Sequence, residues 1–164
     1  MNKKMVVYHG GTEKIEKPIC KIGRMNLDFG QGFYLTNIKE QAVAWANNIS
    51  RNRRLPAVLN RYILDRAAII SNAKCKIFHT YDEEWLDFIV ANRTGMYTAN
   101  EYDYVEGGVA NDRVVDTIHL YIAVLLDLRS TLKELSKHQP NNQMCLLNQS
   151  ITDKYLVYDG TEEL

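Results

Sequence analysis

The sequence predicts an α+β fold, and three observations lead there. Short apolar runs of strand type stand near the start, at Val6–Tyr8 and Phe33–Thr36. Similar runs return near the end, at Gln143–Leu147 and Lys154–Tyr158. Between them lie stretches whose apolar residues recur at three and four positions, the period of a helix. Strands early, helices in the middle and strands late fit an α+β protein, not the βαβ alternation of a parallel sheet.

Val6–Tyr8 predicts a buried strand, stopped by Gly10 and Gly11. The strand at Phe33–Thr36 is entered through Gly30-Gln31-Gly32, whose glycines admit backbone conformations closed to other residues. Asn37, with Glu40 three residues on, predicts a helix start of the capping-box type. Ile38, Gln41, Ala42, Trp45, Ala46 and Ile49 then give that helix one apolar face. Arg51, Arg53 and Arg54 suit its negative C-terminal end, and Pro56 stops it. Ala57–Leu64 predicts a strand, as does part of Ala67–Ile70. Trp85, Leu86, Phe88, Ile89 and Asn92 predict an amphipathic helix from Tyr81 to about Arg93. The segment YDYVEGGVAND, Tyr102–Asp112, predicts a strand, a glycine turn and a helix start, with the helix running to about Leu126. A polar helix is expected over Ser130–Lys137.

At 164 residues the chain predicts a single domain, 1–164. Its 46% hydrophobic content is enough for one core. Twenty basic and twenty acidic residues balance, so no general field draws it to nucleic acid or an anionic membrane. Cys20, Cys75 and Cys145 are scattered, odd in number and without C-x-x-C spacing. That argues against a disulfide framework or a zinc site and points to a reducing, cytoplasmic setting. The N-terminal apolar run is too short for a signal-peptide core. IHLYIAVLLDL is well short of the roughly 20 residues that span a bilayer.

Several residues are placed to carry chemistry. His9 ends a strand beside Gly10, where a ring nitrogen can meet a ligand that the glycine allows close to the backbone. A histidine there can equally bond a turn. Tyr34 follows Gly32 by two and can point into whatever the turn surrounds. The turn is not a phosphate loop, since no Lys-Ser/Thr follows and no G-x-G-x-x-G is present. Trp45 lies on the apolar face of its helix, where core packing is the plain alternative. Asn111 and Asp112 are apt N-caps, and the three arginines at 51, 53 and 54 read either as phosphate contacts or as a solvated helix end. His79, His119 and His138 have no metal-like spacing.

YHGG, then FGQGFYLT, then a helix containing AWA, resembles the ADP-ribosyltransferase superfamily. The likeness is to its His-Tyr-Glu branch, which includes diphtheria-type toxins and poly(ADP-ribose) polymerases. More narrowly, the chain is similar to small bacterial members often encoded beside a small partner, as in toxin–antitoxin pairs, for which YDYVEGGVAND and a late N-x-Q segment are characteristic. The resemblance implies split antiparallel sheets around an NAD cleft, with helices inserted between residues 80 and 138. It implies that His9 orients NAD and that Gly10 and Gly32 border it. Tyr34 and Trp45, eleven residues apart, would clamp nicotinamide, with Trp45 in place of the usual tyrosine. Gln143 would hold the ribose, and Asp103, Asn111 and Asp112 would orient the target. Glu106 crowds the same Gly107-Gly108 turn, and these four residues read either as orienting the target or supplying the missing carboxylate near the ribose, or as a turn followed by an N-cap. The implied activity is mono-ADP-ribosyl transfer from NAD to a macromolecule, without a metal or a membrane and with a small antitoxin-like partner. NAD glycohydrolysis, or an inactive module binding NAD or ADP-ribose, are the alternatives.

The chemistry is coherent with those residue types. Stacked aromatic faces hold a flat cation with about 0.5–2 kcal/mol per contact. Cleavage builds oxocarbenium character on the ribose, which a carboxylate stabilises. The family's glutamate is glutamine here, at Gln143. Neutral hydrogen bonds contribute ~0.5–1.5 kcal/mol against ~1.5–3 for charged ones, about tenfold in rate. An amide therefore suits one-step modification of a nucleophile that needs little activation, and argues against chain elongation.

Overall fold

The computed structural model describes residues 3–96, 101–138 and 141–164, with Asp112 described by its backbone alone. The elements are β1 (Met5–Gly11), β2 (Phe33–Leu35), α1 (Lys39–Arg53), β3 (Val58–Leu64), α2 (Arg66–Asn72), β4 (Cys75–Ile77) and α3 (Glu83–Arg93). They continue with β5 (Tyr104–Gly107), α4 (Asp112–Ile122), α5 (Leu128–Leu135), β6 (Gln143–Leu146), α6 (Gln149–Tyr155) and β7 (Leu156–Glu163). One sheet has the order β1-β3-β7 and is antiparallel throughout. The other has the order β2-β6-β5-β4, antiparallel except for the β4–β5 pair. The chain is thus α+β, with two mostly antiparallel sheets and, among the described residues, six α-helices.

Side-chain alternation along the strands explains the layers. Val7, Phe33, Leu35, Tyr62, Met144 and Leu146 meet between the two sheets. Val105 and Cys145, one residue out of phase, enter a second core with Trp85, Leu86 and Ile89 of α3 and Ile118 of α4. Fully buried Trp85 anchors that core, where each large apolar side chain contributes about 1.5–3 kcal/mol. A short β-bridge stitches the two sheets: Tyr8 N donates to Thr36 O (2.8 Å) and Thr36 N to Tyr8 O (3.0 Å). That bridge brings the first strand alongside the second.

The helices between 80 and 138 fall where expected, and α3 is capped by Asp82, whose carboxylate accepts from Trp85 N (2.9 Å). Other segments differ from the sequence expectation. Ala67–Ile70 lies in α2, not in a strand, because Asp65 caps it by accepting from Ala68 N (3.1 Å). A four-residue apolar run has no period of its own, so the cap decides its conformation. Asn37 does not cap α1; Ile38 holds that position without a side-chain bond. Asn37 instead accepts from Asn142 Nδ2 (2.9 Å). Helix α4 stops at Ile122, and Val124 adopts a left-handed φ of 60° just beyond it. The late strand begins at Leu156, after an unanticipated α6, and reaches Glu163. Strand β4 was also unanticipated, being only three residues long. Among the described residues no helix is long and apolar enough to cross a membrane.

Candidate active site

His9 shares the inner face of β1 with Val7. Its ring stacks on Phe33 at 4.5 Å between centroids and 23° between planes. Its Nδ1 lies 2.7 Å from the carbonyl oxygen of Tyr34. A carbonyl can only accept, so Nδ1 carries the proton. Burial pushes the His9 pKa below its ordinary value, with the Tyr34 carbonyl pulling the other way. The ring is therefore neutral near pH 7, and Nε2 offers a lone pair.

The neighbouring glycines divide two jobs. A Cβ on Gly10 would fall 2.0 Å from the Ala42 carbonyl oxygen and 3.0 Å from Ala46 N, so Gly10 exists to let α1 lie on β1. A Cβ on Gly11 would meet only the His9 ring, at 3.6 Å from Nε2 and 3.8 Å from Cδ2. Gly10 is thus taken up by helix packing, and it is Gly11 that borders His9 Nε2.

The His9 shift has a measurable consequence. Since its folded pKa is below the unfolded value of 6.5, the unfolded chain binds the extra proton first. This group's share of stability is complete above that value and is lost as the pH falls from 6.5 toward the folded pKa. His9→Asn, which keeps a donor for the Tyr34 carbonyl, is expected to flatten the fall in urea stability between pH 7 and pH 5. An identical slope in both proteins would show that His9 is not desolvated as described.

The turn before β2 is built around Tyr34. Gly30 has a φ of 91°, open to glycine and strained for other residues. The Tyr34 hydroxyl donates to Gly30 O (2.6 Å) and accepts from Phe29 N (3.0 Å), so the phenol ties down its own turn. Burial raises its pKa well above the ordinary tyrosine value. Tyr34 offers a neutral ring, not a base. Gly32 is not in the left-handed region; a Cβ there would fall 2.5 Å from Cys145 Sγ and 2.6 Å from Leu146 O. Only one of the two glycines is there for its φ, and Gly32 serves the close approach of β6. Gln31 donates to Lys21 O (2.8 Å) and Gly23 O (2.7 Å), fastening the β1–β2 connection. The sequence reading gave Gln31 no role, since nothing local names its partners.

Strand β6 runs antiparallel to β2, with Tyr34 opposite Cys145 and Leu35 opposite Met144. Gln143 comes next and pairs with Gly107 on β5. Alternation places it on the same face as Cys145 and Tyr34. The Asn142 carbonyl before it accepts from Thr36 Oγ1 (2.8 Å) and Gln41 Nε2 (3.1 Å). Two buried polar atoms here lack a protein partner, Gln143 Nε2 and Gln41 Oε1. Trp45 is 59% exposed, so it is not a core residue. It is rooted one residue from Ala46, which packs on Gly10. His9, Tyr34 and Gln143 thus stand on three successive neighbouring strands, with Trp45 on the helix laid over the first.

The 103–112 cluster divides. Asp103 is at the far end of β5, where its carboxylate accepts from Lys74 N and Asn148 Nδ2, both at 2.9 Å. Glu106 pairs with Met144 and so faces away from Gln143. It is bound by Arg66 Nε (2.7 Å) and the Tyr104 hydroxyl (2.6 Å). It cannot supply a carboxylate beside Gln143. Asn111 caps α4, accepting from Val114 N (3.1 Å). The side chain of Asp112 lies outside the described residues. Arg51, Arg53 and Arg54 are exposed at the end of α1, as a solvated helix terminus would be.

Fold and site together define an α+β protein whose two sheets meet at a histidine–tyrosine contact, with an exposed tryptophan on the adjoining helix. The family model described as "Protein of unknown function (DUF3990)" matches residues 5–158, and the chain belongs to that family. No curated protein and no solved structure matches the chain.

Proposed function

We propose that the chain is a mono-ADP-ribosyltransferase of the His-Tyr-Glu type, with its two sheets split around an NAD cleft. It would move ADP-ribose from NAD to a macromolecular target and release nicotinamide, as a toxin-like effector checked by a small antitoxin-like partner. The observation that carries this reading is the bond from His9 Nδ1 to the Tyr34 carbonyl. It fixes the tautomer of His9, leaving a lone pair on Nε2, beside the residue whose ring would stack on nicotinamide. His9 Nε2 would accept from a ribose hydroxyl, and Tyr34 and Trp45 would hold the pyridinium ring. Gln143 would donate to the ribose as positive charge develops on it. The ribosyl C1′–N bond breaks with its electron pair leaving on nicotinamide. The acceptor's lone pair forms the new bond to C1′, and its proton passes to solvent.

Gln143 favours a second reading, because an amide cannot take a proton from the acceptor. The site would then bind NAD without turning it over, or, with no acceptor positioned, water would receive the ribosyl group and lose its proton to solvent. Labelled NAD incubated with a cell lysate separates these outcomes. Label on a macromolecule, falling about 10²-fold in Tyr34→Ala as expected for a lost positioning contact, supports transfer. Free nicotinamide without a labelled macromolecule supports hydrolysis. NAD binding without turnover leaves a binding module, and absence of both binding and turnover sinks the reading.

A further inference from the structure

The connection from β1 to β2 takes no part in the transfer steps, yet its charge is uneven. From residue 17 to residue 27 it reads KPICKIGRMNL, with three cations and no acidic residue. The acids that flank it are already spent, Glu16 on Lys14 (2.7 Å) and Asp28 on Arg93 (2.5 Å). Among the described residues no ion pair includes Lys17, Lys21 or Arg24. In a chain of net charge zero, this is a local excess of positive charge.

The same stretch displays apolar side chains, with Ile19, Ile22 and Met25 53%, 76% and 55% exposed. Looseness does not explain that exposure. Gln149 accepts from Cys20 N (2.9 Å) and donates to Pro18 O (2.9 Å), while Gln31 holds the carbonyls of Lys21 and Gly23. Pro18 and Cys20 are buried, so the segment is fastened from beneath. A single 3₁₀ turn, Cys20–Ile22, separates Ile19 from Ile22 by three residues, the spacing at which side chains of that helix eclipse. The segment also abuts the candidate site. A Cβ on Gly23 would fall 2.7 Å from Gly32 O, two residues before Tyr34.

Resting on the transferase reading, we propose that residues 17–25 dock the acceptor, and that the acceptor is a protein presenting acidic and apolar side chains together. Its carboxylates meet the three unpaired cations, and its apolar groups cover the three aliphatic side chains. A single-stranded nucleic acid would be met by aromatic faces on which bases stack, and the connection from Thr12 to Asp28 has none. An anionic membrane calls for clusters of roughly four to eight cations, and only three stand here.

The test combines Lys17→Glu, Lys21→Glu and Arg24→Glu in the full chain. It is assayed with labelled NAD and lysate, and for binding of a short fluorescent peptide of alternating glutamate and leucine. The three side chains are exposed, so the melting temperature and the affinity for NAD are expected to match wild type. Macromolecular labelling should fall about 10²-fold, because repulsion replaces attraction. The peptide should bind wild type and not the reversed variant, and the wild-type label should be lost to protease but not to nuclease. Ile19→Ser with Ile22→Ser should weaken labelling and peptide binding about tenfold, as loss of an interface contact does, again without changing NAD affinity. If the reversed variant does not fold, the three cations are replaced by glutamine and the same losses are expected.

Equal peptide binding by wild type and variant overturns the proposal. So does a nuclease-sensitive label, or wild-type binding to phosphatidylserine vesicles that the reversal abolishes while labelling persists. A wild type inert toward NAD overturns the transferase reading, and the acceptor role with it. An active wild type whose labelling ignores the reversal overturns this proposal alone.

Discussion

Replacing Gly10 with alanine is expected to lower the melting temperature by roughly 6–12 °C, the shift that about 3 kcal/mol produces in a chain of this size. The added methyl would sit 2.0 Å from the Ala42 carbonyl oxygen. That is a backbone atom in the second turn of α1, so no side-chain rotation relieves the overlap. The helix must lift from β1 or the strand must bend, and either loosens the Ala42 and Ala46 contacts that bury this face. Gly11→Ala is the matched control. Its methyl would meet only the His9 ring at ordinary van der Waals distance, so its melting temperature should be unchanged. Differential scanning calorimetry of the two variants distinguishes the sites. Equal melting temperatures for Gly10→Ala and wild type would mean that α1 does not lie on β1 as described. Because α1 also carries Trp45, Gly10→Ala should lose the proposed NAD-dependent activity together with stability.

The residues most legible in the sequence were those whose role is local. The strand around Val7, the turn at Gly30 and the helix start at Asn111 each carry their own signal: an apolar run, a glycine, a capping side chain. Residues whose role depends on a distant partner were harder to read. Gly10 and Gly11 are indistinguishable in sequence, and only the passage of α1 over Gly10 separates them. Trp45 shares the apolar period of α1, yet the part of that face covered by β1 reaches only Ala42 and Ala46, which leaves the indole exposed. Gln41, counted with the same face, turned out to bond Asn142 from 101 residues away. Glu106 was grouped with its neighbours by proximity in the chain, but strand alternation turns it to the opposite side of the sheet from Gln143. The missed helix α2 is the exception, since its Asp65 cap is local but its seven residues are too few to show a period.

If the chain carries out the proposed ADP-ribosyl transfer, Gln143→Glu is expected to raise kcat about tenfold while lowering stability. Gln143 Nε2 is a buried donor without a partner, so exchanging the amide for a carboxylate removes an unsatisfied group and introduces a charge. A charged hydrogen bond to the ribose is stronger than a neutral one by roughly 1–1.5 kcal/mol, close to a factor of ten. That gain is larger in the transition state, where positive charge develops, than in the bound ground state. The KM for NAD should therefore not fall in step. The size of the increase also reports on the acceptor. A further 10²–10⁴-fold appears only where the nucleophile needs a base to remove its proton, as an alcohol does. The new carboxyl would be buried, and Arg66 is engaged with Glu106 on the other face, so its pKa should lie above the usual glutamate range. The variant's rate should then climb with pH through that titration while the wild-type rate, lacking the group, does not. If Gln143→Glu and Gln143→Leu both retain wild-type kinetics at every pH, the end of β6 does not face the reacting bond, and the catalytic role given to Gln143 is wrong.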